Sequence, residues 1–152
     1  MLIAQKGLFM DNYSSIDYDG TGTQKTLCTA WTLVVYEQEF HADMIKDVFG
    51  VIDAKKTRIV YDDDGTLAKI DYTNTNWHQN MKALWAMLKT YSDVAFAAGD
   101  LAPNERVKPY FEWVCSVGKV NLDEIAAFVI DEMNAGLFRD AAADSRTTSS
   151  NE

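Results

Sequence analysis

The sequence predicts an α+β fold that is mainly α-helical, with four to five helices and one or two small β-hairpins. Three observations predict it. Thr75 to Ala98 carries apolar residues at helical period, Leu122 to Met133 carries a second such face behind a capping residue, and two Asp-Gly pairs lie between β-prone runs. The length of 152 residues suits one domain, since a core of this size buries about two thirds of the surface of the unfolded chain. An apolar fraction of 47% with 12% aromatic residues supplies that core.

Residues 1–12 read as an N-terminal extension, with Met10 as an alternative start. A single globular domain is expected over 13–139. In its first segment, Ile16-Asp17-Tyr18-Asp19-Gly20 and the Thr- and Gly-rich stretch after it favour a tight hairpin within 13–27. Leu27 to Phe40 is ambiguous: Trp31, Val34, Val35 and Gln38 suit a helical face, whereas Trp31, Leu33 and Val35 suit a strand. Glu37-Gln38-Glu39 tips the choice to helix, because Glu and Gln are good helix formers and poor strand formers.

Phe40, Met44 and Val48 repeat at helical spacing beside Ile45 and Phe49, and Gly50 is expected to end that short helix in a left-handed cap. Thr57 to Tyr61 and Leu67 to Tyr72 flank Asp62-Asp63-Asp64-Gly65 and predict a second hairpin. Then comes the strongest element. Trp77, Met81, Leu84, Trp85, Leu88 and Tyr91 share one helical stripe that stops at Gly99, which predicts the central core helix. Pro109 is expected at the first position of a helix carrying Phe111, Trp113 and Val114 and ended by Gly118. Asn121 and Glu124 form a capping-box pair ahead of Leu122, Ile125, Ala126, Val129 and Met133, with Gly136 after that face. Residues 140–152 lack apolar period and are expected to be a disordered polar tail.

Composition narrows the function. Acidic residues number 23 against 14 basic ones, a net charge of −9 that repels phosphate backbones, and Lys55, Lys56 and Arg58 sit between Asp53 and Asp62 to Asp64. Nucleic-acid binding is therefore disfavoured. Cys28 and Cys115 lie far apart without metal-ligand spacing and read as buried thiols, so no disulfide framework or zinc site is signalled. Residues 1–10 do not make a signal peptide, and no stretch approaches the roughly 18 apolar residues of a membrane span. A reducing cytosol is the expected compartment.

No catalytic constellation emerges. Aligning Gly65 with the invariant glycine of an EF-hand puts Val60 at the first ligand position and the short Asp71 at the last, so a plain turn fits better than calcium; Asp17-Tyr18-Asp19-Gly20 fails likewise. His41 and His78 are each placed in the first turn of a predicted helix, without a nucleophile motif. Glu37 and Glu39 diverge on a helix and make poor partners for acid and base work. Gly20-Thr21-Gly22 lacks the remainder of a phosphate-binding loop. No cofactor or metal is expected. Trp77, Met81 and Trp85, with Phe111 and Trp113, are instead the candidate partner-binding residues, because aromatic and Met side chains also favour protein interfaces.

Three stretches together resemble a known family: Tyr36-Glu37-Gln38-Glu39-Phe40 leading into Asp43-Met44-Ile45-Lys46-Asp47-Val48-Phe49-Gly50; Asp71-Tyr72-Thr73 with Asn76-Trp77 opening Ala83-Leu84-Trp85-Ala86-Met87-Leu88; and Gly136-Leu137-Phe138-Arg139. They are similar to tail assembly chaperones of long-tailed bacteriophages and prophages, over residues 16–139. The resemblance implies a non-enzymatic protein of the bacterial host cytoplasm, absent from the mature virion, that binds the tape measure protein until tail-tube subunits displace it. It names the tape measure as the main partner, with the tail-tube protein and a homo-oligomer of the chain as further candidates. Alternatives are a structural tail or connector protein and an acidic DNA mimic. The mimic is the weaker, because its acids are interspersed with lysines and arginines.

Overall fold

The computed structural model describes residues 13–50, 58–61, 67–71 and 77–138. The expected N-terminal extension, the Asp62-to-Gly65 turn and the polar tail lie outside the described residues. The fold is mainly helical, with small antiparallel hairpins, as expected for an α+β chain.

Strands β1 (Ser14–Ile16) and β2 (Gln24–Thr26) pair antiparallel, with Ser14 opposite Thr26 and Ile16 opposite Gln24. The Asp-Gly pair does not close a tight turn, contrary to expectation. Residues 17–23 form a longer loop because aspartate side chains take the place of ladder partners: Asp17 Oδ1 accepts the Gly20 N–H at 2.8 Å and the Gly22 N–H at 3.4 Å. Asp19 Oδ1 accepts the Thr21 N–H at 3.1 Å and its hydroxyl at 2.6 Å. Those Thr21 bonds hold the Asp19 carboxyl below the usual range.

Helix α1 (Ala30–Phe40) resolves the helix-or-strand ambiguity as helix. Thr29 caps it, accepting the Trp31 N–H at 3.2 Å, while Thr32 Oγ1 accepts the Thr29 N–H at 3.0 Å. His41 ends this helix rather than opening the next: it is the C-cap, at φ 52° and ψ 42°, and its N–H bonds the Glu37 carbonyl at 2.8 Å. Phe40 accordingly belongs to α1. Helix α2 (Met44–Phe49) starts afresh at Asp43, whose carboxylate accepts the Ile45 and Lys46 N–H groups at 2.9 and 3.2 Å. Gly50 keeps an ordinary right-handed φ of −68°, not the expected left-handed one, because its N–H continues the helical ladder to the Lys46 carbonyl.

Strands β3 (Arg58–Tyr61) and β4 (Leu67–Asp71) pair antiparallel as expected, Ile59 opposite Ile70, with an irregularity between Val60 and Tyr61. Helix α3 (Trp77–Ala97) is the central element, and α1, α2, α4, α5 and β2 all pack on it. Its run from Ala83 to Leu88 is buried on every side. The helix stops where expected. Gly99, at φ 82°, donates to the Phe96 carbonyl and Asp100 to the Ala95 carbonyl, the paired bonds of a Schellman cap.

After a single 3₁₀ turn (Pro103–Glu105) comes α4 (Tyr110–Ser116), where Pro109 is the cap residue in extended conformation rather than the first helical one. Helix α5 (Leu122–Leu137) is capped by Asn121, which accepts the Asp123 and Glu124 N–H groups at 3.1 and 3.2 Å. It runs through Gly136 instead of ending before it. The glycine serves a close approach: a Cβ there would overlap the Cys28 carbonyl oxygen.

Aromatic rings join the elements. Tyr36 and Phe40 of α1, Trp85 of α3, and Tyr110 and Trp113 of α4 form a chain of contacts with ring centroids 4.8–6.1 Å apart, reaching Tyr18 of the first loop at 5.6 Å. Most are edge-to-face, a geometry that contributes about 0.5–1.5 kcal/mol per pair beyond area burial. Polar tips are satisfied within the chain: Trp85 Nε1 donates to the Lys108 carbonyl at 2.9 Å, and Trp113 Nε1 to the Tyr18 hydroxyl at 3.1 Å.

Candidate protein-docking surface

The five sequence-predicted partner residues separate into two groups. Met81, Trp85 and Trp113 are buried in the chain's own core at 3%, 2% and 5% exposure, the two tryptophans held by the aromatic contacts described above. They present no docking surface in this conformation: Met81 and Trp85 lie where α3 is surrounded rather than amphipathic, and Trp113 is the residue that α4 buries. Trp77, at 47% exposure, and Phe111, at 76%, do face solvent. Trp77 lies over the ring of its neighbour His78 at 3.6 Å, at the start of α3.

Helix α1 turns an unexpected face outward. Its buried residues are Thr32, Val35 and Tyr36, while Trp31 and Val34, two of the residues whose spacing suits an apolar helical face, are exposed. The inversion has a physical cause: buried threonines pair across the helices, Thr32 Oγ1 lying 2.8 Å from Thr90 Oγ1, which donates to the Ala86 carbonyl at 2.7 Å. A fully buried hydroxyl is tolerated once hydrogen-bonded, so this contact sets the rotation of α1 on α3. Below it, the Tyr36 hydroxyl donates to Asp47 at 2.8 Å; burial first, then that carboxylate, raises its pKa.

With Trp31 outside, a shallow cleft of about 470 Å³ opens between α1, α3 and the loop before α4, lined by Trp31, Lys89, Asp93, Val94, Ala97 and Arg106. Asp93 organises it. Its carboxylate accepts from Trp31 Nε1 at 2.9 Å, Lys89 Nζ at 2.9 and 3.1 Å, and Arg106 Nη2 at 2.6 Å. Burial alone would raise the Asp93 pKa, but these three donors hold it below the usual carboxylate range. Arg106 also lies over the exposed Phe96 ring, 4.3 Å from its centroid.

A second, larger groove of about 1020 Å³ runs along the junction of α1 and α2, lined by Leu33, Val34, Glu37, Gln38, His41, Ala42, Asp43, Met44 and Ile45. Among the described residues no group of three or more His, Cys, Asp and Glu side chains could hold a metal, and no described helix is long and apolar enough to cross a membrane.

The thiols divide. Cys28 is buried as expected, and burial, with Glu132 adding to it, pushes its pKa up to about 12. Cys115 is exposed, correcting the expectation for that residue, because the short α4 buries only Trp113 among its residues. No protein family, no curated protein and no solved structure matches the chain.

Proposed function

We propose that this protein is a tail assembly chaperone of a long-tailed phage or prophage, which binds the tape measure protein in the host cytoplasm and keeps it soluble until tail-tube subunits polymerise around it. The observation that carries the reading is the set of three stretches resembling that family, and how they sit together supports it. Phe40 of the first lies against Trp85 of the second at 5.7 Å, and Phe49 of the first against Phe138 of the third at 5.8 Å. Segments far apart in sequence therefore share one packed unit. Exposed Trp31, Val34, Trp77 and Phe111 supply apolar contact area, and the charge of −9 keeps a loaded complex soluble.

Co-expression with the tape measure protein of the same phage tests it. The chaperone should raise the soluble fraction of that protein and co-purify with it, and mass spectrometry should not find the chaperone in finished particles. An unchanged soluble fraction with no co-purification would refute the reading. Presence in the virion would favour a structural tail component instead.

A further inference from the structure

Trp31 is a large ring left partly in solvent. It sits at 44% exposure two residues from the helix cap, on the face turned away from α3's core, yet its indole N–H is fixed on Asp93. The carboxylate that fixes it also carries two cations, so Lys89, Arg106 and Asp93 together leave one positive charge in a chain whose overall charge is −9. Glu105, the acid next to Arg106 in sequence, is occupied elsewhere, accepting the Ala102 N–H at 2.7 Å. Both cations are about one third exposed, at 34% for Lys89 and 36% for Arg106. Arg106 spends one guanidinium nitrogen on Asp93, and a guanidinium has donors for a second carboxylate in fork geometry. Val94 and Ala97 give the cleft a low apolar floor, and Phe96 stands exposed beside it under Arg106.

We propose that this cleft docks a segment of a partner protein that presents an apolar side chain and, about 6 Å from it, a carboxylate, a spacing that positions i and i+4 of a helix supply. The apolar group packs on the face of Trp31 over Val94 and Ala97, and the carboxylate bridges Arg106 and Lys89. Trp and Arg are the residues in which interface energy concentrates, and both are already oriented here by Asp93, which lowers the entropy lost on docking. The cleft is shallow and open, so it does not enclose a small molecule as an enclosed ligand pocket does. Residual positive charge favours an acidic partner segment in this cleft, against the repulsion of the overall field. The assignment rests on the chaperone reading only for the partner being a protein.

The test uses the full chain, ¹⁵N-labelled, with a stapled helical peptide bearing Leu and, four residues on, Glu; a matched peptide carries Gln in place of Glu. The Trp31 indole N–H resonance is assigned with Trp31→Phe. Expected is a shift of that resonance on titration with the Glu peptide and about tenfold weaker binding of the Gln peptide. In the double variant Lys89→Gln/Arg106→Gln, whose side chains are partly exposed, the preference for Glu should vanish while the amide spectrum stays folded. Equal affinity of the two peptides, no movement of the Trp31 indole, or retained preference in the double variant would each overturn the proposal. So would a concentration-dependent shift of that indole without peptide, which would give the cleft to a second copy of this chain. If co-expression keeps the tape measure soluble while neither peptide binds, the docking assignment falls and the chaperone reading stands; peptide discrimination without any effect on the tape measure gives the reverse.

Discussion

Replacing Thr32 by Val tests the buried polar contact that orients α1. The substitution keeps the branched shape and removes one hydroxyl from a site with 0% exposure. That hydroxyl accepts the Thr29 N–H at 3.0 Å, lies 2.8 Å from Thr90 Oγ1 and approaches the Leu27 carbonyl at 3.3 Å. Its loss strips one half of the capping box and leaves the Thr29 donor and Thr90 without that partner. A helix cap contributes about 1 kcal/mol and an unsatisfied buried group costs about 1–3 kcal/mol, so the expected loss is about 2–3 kcal/mol. For a domain of this size that lowers Tm by roughly 5–10 °C. Urea unfolding followed by circular dichroism measures it, with the midpoint falling and the m-value unchanged. The double variant Thr32→Val/Thr90→Val should cost about 1 kcal/mol less than the sum of the single changes, because removing both partners leaves nothing unpaired between them. A loss under about 0.5 kcal/mol for Thr32→Val, or strict additivity, would refute the idea that this contact fixes the helix.

Other perturbations bear on separate parts of the fold. Gly136→Ala should destabilise by about 1–3 kcal/mol in chemical denaturation, since the new methyl overlaps the Cys28 carbonyl, although helix propensity alone predicts a gain of about 1 kcal/mol; the sign of the change decides between them. Alkylation of the native protein at pH 8 should add one label, at Cys115, and only denaturant should admit a second at Cys28, as read by intact mass. Because the folded Asp93 pKa is lowered, its stabilisation is fully present above the unfolded carboxyl value of about 3.9 and is lost as pH falls through the folded one. Asp93→Asn should therefore flatten that part of the acid-unfolding curve below about pH 4, while lowering stability at neutral pH.

Elements whose signals are local were the most legible. The Asn121 cap could be read because a side chain bonding amides two and three residues away needs no tertiary partner. The Gly99 stop was equally local: only a residue at ease with φ 82° closes the Schellman bonds there. The candidate site was read less well. Trp85 and Trp113 carry the composition of an interface, but the same large apolar surface serves a core, and here Tyr110 and Phe40 claim both rings. Trp31, which lines the exposed cleft that Asp93 organises, gives no local sign of facing outward, because hydrophobic spacing ranks Trp above Thr. The pairing of Thr32 with Thr90, 58 positions apart, carries no sequence pattern.

From the sequence alone came a mainly helical α+β chain with a central stripe-bearing helix, a last helix with its cap, and no recognisable catalytic or metal motif, because period, capping chemistry and composition act within a few residues. The tertiary structure decided which face of α1 is buried, that His41 ends a helix rather than begins one, that Cys115 is exposed, and that Lys89, Asp93 and Arg106 meet beside Trp31. Those outcomes depend on contacts between distant segments, where a hydrogen-bonded pair of threonines outweighs the ordinary preference to bury the larger apolar ring.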